Sequence, residues 1–151
     1  MGVGADTVEL LDLAIAIATA AKPVAPLKVC EFGNQKMTLR GDKTCKEYFV
    51  RHGAEHVSLD LNGRGGALQI DIGKPIRKSQ WQQYFDIVTN FGTCEHGLGQ
   101  YDALRNRHNL TVQHGTIVHV LPLVGNWPNH CPYHYHRNFI HALSTAQQYV
   151  V

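Results

Sequence analysis

Short apolar runs, each closing on an acid, an amide or a glycine, recur along the chain and set its architecture. Lys28-Val29-Cys30-Glu31-Phe32-Gly33 opens the series, and His56-Val57-Ser58-Leu59-Asp60 and Ala67-Leu68-Gln69-Ile70-Asp71 follow. The fourth, Phe85-Asp86-Ile87-Val88-Thr89-Asn90-Phe91-Gly92, ends in an amide and a glycine. Such runs are the mark of strands in a parallel sheet, buried on both faces. They predict strands at about 27–32, 56–60, 67–72 and 85–90, with a fifth in the β-branched run Thr116-Ile117-Val118-His119-Val120-Leu121. In sheets of this kind the ligand lies outside the carboxyl ends of the strands, where strand order reverses. The pattern therefore points to a nucleoside-like ligand.

Helices are predicted between the strands. Leu11, Ile15 and Ala18 or Thr19 share one face of a first helix over about 7–21, flanked by Val8 and Leu10. Asp6 or Thr7 is its expected cap, Glu9 is placed for a capping-box contact, and Pro23 and Pro26 end it. A polar loop from Asn34 to Asp42 precedes a helix from about Lys43 to His52, with Tyr48 and Phe49 on its apolar face and Gly53 as its stop. Leu61 to Gly66 is too short and glycine-rich for a crossover helix, so an abbreviated loop is expected there. Further helices are expected at about Ser79–Tyr84, Gly99–Leu110 and Asn138–Gln148. In the second of these Tyr101, Leu104 and His108 fall in register, and Gly115 breaks the pattern. Pro122 to Pro132 is a loop, and Tyr149-Val150-Val151 has the makings of a further strand. The fold class is α/β, a single Rossmann-like domain over residues 1–151 with a mostly parallel sheet and helices on both faces.

Composition narrows the partners. A length of 151 residues, 44% hydrophobic and 17% charged, suits one globular core. A net charge of +2 with scattered Lys and Arg argues against nucleic acid or an anionic membrane as partner. The apolar stretch Leu10–Ala18 is too short to span a bilayer, is interrupted by Asp12 and has no basic residue before it, so a helix is expected, not a leader or anchor. Asp6 stands where myristoylation needs Ser or Thr. Cys30, Cys45, Cys94 and Cys131 are widely spaced without a CxxC pair, and Cys30 reads as a buried free thiol, which favours the cytoplasm. Ten histidines suggest behaviour that changes between about pH 5 and 7.

The order of these elements, and the residues at the strand ends, resemble the class I S-adenosylmethionine-dependent methyltransferases over about Leu27 to Val151. The resemblance implies that Glu31-Phe32-Gly33 and the adjoining Asn34 form the turn against the methionine part of the cofactor, where glycine lets the backbone approach. It implies that Asp60 grips the ribose hydroxyls through charge-assisted hydrogen bonds. Asp71 would meet the adenine amino group with Ile72 beside the ring, and Asn90 and Phe91 would lie near the sulfonium and the acceptor. The chain departs from the family in three places. Gln35 stands where a second glycine is usual, the helix between strands two and three is reduced, and the closing antiparallel strand pair is missing. An uncovered edge beside strand five is a liability that docking of a second copy would remove, so a homo-oligomer is expected.

Methyl transfer depends largely on positioning, with a general base where the acceptor is a hydroxyl or ammonium. The candidates are Glu95, His96, His119, His130, His134 and His136. Glu95, His96 and His134 are assigned to catalysis, Glu95-His96 first because it follows the strand-four turn; the alternative is a helix-start acid beside a solvated histidine. His119 alternates within its strand and suits a hydrogen-bonded role. Cys131, His134 and His136 are zinc-ligand types, but a second ligand pair at the usual spacing is missing and Pro132 with two tyrosines suggests an aromatic lid, so no metal is assigned. Phe91-Gly92 after Asn90, in place of a proline-rich turn, argues against nucleobase amine methylation. The expected function is thus an S-adenosylmethionine-dependent methyltransferase acting on a small-molecule acceptor. The alternatives are a non-catalytic cofactor-binding or oligomerising module and a metal-dependent hydrolase using the His-rich loop.

Overall fold

The polar-ended apolar runs become the parallel strands of one sheet. In the computed structural model, which describes residues 2–37, 41 and 43–151, the chain runs β1 (Gly2–Val3), α1 (Ala5–Ala21), β2 (Lys28–Phe32), β3 (Lys36–Met37), α2 (Cys45–Arg51), β4 (Glu55–Asp60), β5 (Leu68–Gln69), β6 (Phe85–Phe91), α3 (Gln100–Leu110), β7 (Thr111–Val120) and α4 (Arg137–Gln147). The five-stranded sheet has the order β5-β4-β2-β6-β7 and is parallel throughout. Strand β6 is buried at all seven positions, as a strand with neighbours on both edges and helices over both faces must be.

Two apolar layers hold the helices to the sheet. Val8, Leu11, Ala14 and Ala18 of α1 and Cys45, Tyr48 and Phe49 of α2 pack with Val29, Ile87, Phe91 and Val118 on one face. Ala103 and Leu110 of α3 pack with Cys30, Phe32, Leu59 and Val88 on the other. Each large apolar side chain so buried contributes about 1.5–3 kcal/mol. Asp86, at the start of β6, ties the end of α1 and the start of β2 to that strand. Its Oδ2 accepts from the Lys28 backbone N–H at 2.8 Å and lies 3.2 Å from Lys22 Nζ, just past the end of α1.

Several expectations needed adjustment. Helix α1 starts earlier, with Gly4 as its N-cap and no side-chain capping bond, so Asp6 and Thr7 lie inside its first turn, where an acid suits the helix dipole. The capping motif occurs on α2 instead: Thr44 Oγ1 accepts from Glu47 N–H at 3.1 Å and Glu47 Oε2 accepts from Lys43 N–H at 2.7 Å. The polar loop from Asn34 to Asp42 lies partly outside the described residues, and its described part contains β3, which pairs in parallel with β1. The connection from β4 to β5 is indeed helix-poor, a 3-10 turn at Arg64–Gly66. Strand β5 is only two residues long, so Asp71 lies beyond it rather than at its end. The Ser79–Tyr84 helix shrinks to a 3-10 turn at Ser79–Trp81. On α3 the buried face is Ala103, Asn106, Arg107 and Leu110, and Tyr101 and His108 are exposed. Gly115 lies within β7, not before it, and Tyr149-Val150-Val151 forms no strand. None of the described helices is long and apolar enough to cross a membrane.

The segment after β5 compensates for its shortness by gripping α3. Asn106 Nδ2 donates to the Ile72 and Lys74 carbonyls at 2.9 and 2.8 Å, and its Oδ1 accepts from Ile76 N–H at 2.9 Å. A Cβ on Gly99, at the start of α3, would fall 1.9 Å from the Gly73 carbonyl oxygen, so the contact admits no side chain there. At about 1 kcal/mol net per hydrogen bond, Asn106→Ala should cost about 2–3 kcal/mol in urea unfolding. The same variant should lose hydrogen-exchange protection at the Ile76 amide; full protection there would contradict the clamp.

Candidate functional site

Strand order reverses between β2 and β6, since β4 and β5 continue outward on one side and β7 on the other. Ligands of such sheets lie at this point. Here the turn after β2 meets the turn after β6 so closely that residue 33 has no room for a side chain. Gly33 has φ +95°, and a Cβ would stand 2.4 Å from Thr93 Oγ1. The turn is secured by its own strand and by β4: Gln35 N–H donates to Glu31 Oε1 at 3.1 Å and Gly33 N–H to the Leu59 carbonyl at 2.7 Å. Gln35, in place of the second glycine, reaches across the reversal, its Nε2 donating to Thr93 Oγ1 at 2.9 Å. Asn34 reaches the other way, its Nδ2 donating to the Arg64 carbonyl at 2.8 Å.

Glu31 is fully buried, and its Oε2 lies 3.2 Å from His56 Nε2, a histidine equally withdrawn from water. The imidazole stacks on Phe49, with centroids 5.7 Å apart and planes 20° from parallel. This pairing escaped the sequence reading. The signal was a polar His56 in an apolar strand, diagonal to Glu31 on the neighbouring strand.

The remaining cofactor candidates are distributed along the carboxyl edge. Asp60, half-buried at the end of β4, accepts from Asn62 N–H through Oδ1 at 3.0 Å. Asp71 accepts from Gly73 N–H at 3.0 Å and lies 3.3 Å from Lys74 Nζ, while Ile72 packs against the α3 core. Asn90 is buried. Its Oδ1 accepts from the Thr93 and Cys94 N–H groups at 3.3 and 3.0 Å, and its Nδ2 donor has no partner among the described residues. The Phe91 ring is packed in the α1–α2 core, so only its backbone belongs to the turn.

Beyond that turn the 3-10 segment Cys94–His96 delivers Glu95 and His96 together. Gln100 Nε2 holds the segment, donating to the Cys94 and Gly97 carbonyls at 2.6 Å each. The Glu95 side chain is fully buried, and neither carboxylate oxygen has a hydrogen-bond partner among the described residues. Burial pushes its carboxyl up, and the His96 and His130 rings partly oppose the rise. His130 reaches the same place from the loop after β7: its ring meets His96 edge to face at 5.0 Å and Trp127 at 5.4 Å. Tyr133 N–H donates to the Glu95 carbonyl at 3.3 Å, and Tyr135 bonds through its hydroxyl to Gln100. Glu95 and His96 are therefore adjacent to the reversal as expected, but His134 is not with them. Its Nε2 lies 3.2 Å from the Trp127 carbonyl. His136 caps α4, its Nδ1 accepting from Asn138 N–H at 3.2 Å.

Two further cavities are lined by the later elements. One of about 260 Å³ is lined by Leu123, Val124, Tyr135 and Arg137. The other, of about 400 Å³, sits between α3, β7 and α4, lined among others by Arg107, His119, Leu143 and Tyr149. Arg107 is almost wholly buried, donating from Nε to the Ala103 carbonyl at 3.1 Å, with Nη1 2.7 Å from His119 Nδ1. A guanidinium only donates, so His119 Nδ1 is the acceptor and its ring is neutral. His119 is thus the hydrogen-bonded strand histidine expected from its position. Comparison of the sequence with protein-family models and with curated proteins finds no match.

Burial, and secondarily Arg107, hold the His119 pKa well below the usual 6.5. Below about pH 6.5 the unfolded chain takes up a proton at this ring that the folded chain refuses. This contribution to stability is complete above that pH and is lost as the pH falls toward the folded value. Urea unfolding at pH 7.5 and 5.5 should show the wild type losing up to about 1.4 kcal/mol more than His119→Gln over a full unit of that window. Equal losses in the two proteins would contradict the neutral acceptor.

Proposed function

We propose that the carboxyl edge at the β2–β6 reversal binds S-adenosylmethionine and that the protein is a methyltransferase for a small-molecule acceptor. The observation that carries this reading is the strand order: it brings Gly33 and Asn90 to one reversal point and sets Asp60 at the end of the adjoining strand. The residues present fit the cofactor. Asn90 Nδ2 is a buried donor in need of an acceptor, and Asp60 Oδ1 holds only a local backbone contact. In this reading Glu31 acts indirectly by fixing the Gly33–Gln35 turn, with Asn34 beside it. Asp60 accepts from the ribose hydroxyls, and Asp71 with Ile72 borders the adenine. The bound cofactor supplies an electrophilic methyl group. Glu95 and His96, one residue pair beyond the turn that follows β6, contact the acceptor and take up its proton.

Calorimetric titration with S-adenosylmethionine and S-adenosylhomocysteine is the test. Saturable binding is expected, and Asp60→Ala should weaken it by about 1.5–3 kcal/mol, roughly 10- to 150-fold. Unchanged affinity in a folded Asp60→Ala protein would remove Asp60 from the site. His96→Ala should leave cofactor affinity intact and lower turnover.

A second reading, a domain that binds the cofactor without chemistry, draws on Gln35. Its bond to Thr93 spans the place where a glycine would leave open space. Cofactor binding with no turnover over a broad acceptor panel would favour it. The outer strand β7 pairs only with β6 among the described residues, and a second copy docked on that edge is part of the proposal. Elution at a monomer's volume in gel filtration would remove that part.

A further inference from the structure

We propose that Glu95, His96 and His130 form a binding site for a divalent transition cation of the zinc class. One ligand atom from each residue lies within 4.8 Å of the others, a span that modest side-chain rotation closes to the 2.0–2.2 Å metal–ligand distances of zinc. The chemistry of the set suits the ion: two imidazoles and a carboxylate are the three-ligand complement of catalytic zinc, which leaves a coordination position open. The inference stands on this cluster alone and is independent of cofactor binding at the β2–β6 reversal; it assigns Glu95 and His96 to the ion in place of the proton-accepting role given to them above.

A second observation singles the cluster out from a chance meeting of polar groups. Glu95 is wholly withdrawn from water, yet both its oxygens lack a hydrogen-bond partner among the described residues. A carboxyl so placed either keeps its proton or stays ionised against a cation, and the two imidazoles beside it offer a cation its further ligands. His96 and His130 are exposed, so an ion held between them and Glu95 would be reached from solvent, and its open position would face outward. The frame is built before any ion arrives. Gln100 fixes the Cys94–His96 turn through the Cys94 and Gly97 carbonyls, and Tyr133 N–H fastens the His130 loop to the Glu95 carbonyl. Trp127 and Asn129, on either side of Pro128 and just ahead of His130, adopt φ +50° and +63°. Such conformations cost non-glycine residues of order 1 kcal/mol and are concentrated at functional loops. Cys131 stays outside the set, its thiol donating to the Tyr133 carbonyl at 3.0 Å.

Equilibrium dialysis of tag-free protein against Zn²⁺ at pH 7.5, with metal counted by mass spectrometry, tests the site. The wild type should take up about one equivalent. Glu95→Gln, His96→Ala and His130→Ala, each checked for fold by far-UV circular dichroism, should each bind at least about a hundredfold more weakly, more than loss of an outer-shell partner costs. His141→Ala, which removes an exposed histidine of α4, should bind as the wild type does. Less than about a tenth of an equivalent on the wild type would overturn the proposal, as would wild-type affinity in any folded variant of the three. Because His96 and His130 are exposed, their variants keep the test decisive if Glu95→Gln fails to fold.

Discussion

The constraint on which most of the structure depends is the meeting of two strand ends. Strands β2 and β6 run side by side in the sheet, and the turns that leave them come together until Thr93 and Gln35 fill the place where a side chain at Gly33 would be. Much follows from that closeness. Glu31 must lie beneath the turn to receive the Gln35 N–H, and its other oxygen then lies 3.2 Å from His56 Nε2. Asn90 must turn its oxygen onto the Thr93 and Cys94 amides, which starts the 3-10 segment and fixes where Glu95 and His96 emerge. A side chain at position 33 would thus disturb both the turn after β2 and the turn that carries the acid and histidine.

The strands were legible because their burial is simple. A strand covered on both faces is mostly apolar, and Val29, Cys30 and Phe32 with Ile87, Val88 and Phe91 show it, Glu31, Thr89 and Asn90 being the buried polar exceptions. The order of elements, the weak crossover between β4 and β5 and the buried thiol of Cys30 could be read for the same reason. Helix α3 was misread because its buried face is partly polar: Asn106 and Arg107 are inside, bonded to carbonyls and to His119. Hydrophobic periodicity assumes that polar means exposed, and the stripe of Tyr101, Leu104 and His108 met that assumption while pointing the wrong way. The pairing of β1 with β3 had no comparable signal, because two-residue strands carry no period.

At the site, local sequence carried part of the information. Glu95 and His96 follow the β6 turn directly, so their closeness to the reversal needed no knowledge of tertiary structure. His130 is brought in by a loop whose path includes left-handed Trp127 and Asn129, and only Asn129 is of a type that favours such a conformation. The His-rich segment drew attention as a unit, yet the structure divides it: His130 joins Glu95, His134 turns to the Trp127 carbonyl and His136 caps α4. Residue type marked the region, and backbone path selected the member.

The small β1–β3 ladder has a practical reach beyond its size. Gly2 and Val3 are stitched to Lys36 and Met37, which directly follow the turn containing Gly33 and Gln35. Mechanical load applied at Gly2, whether by a fusion partner, an affinity tag or a surface attachment, is transmitted through that ladder to the segment that follows the Gly33–Gln35 turn. Immobilisation for binding measurements therefore belongs at the other end of the chain, where Val150 and Val151 are free in solvent.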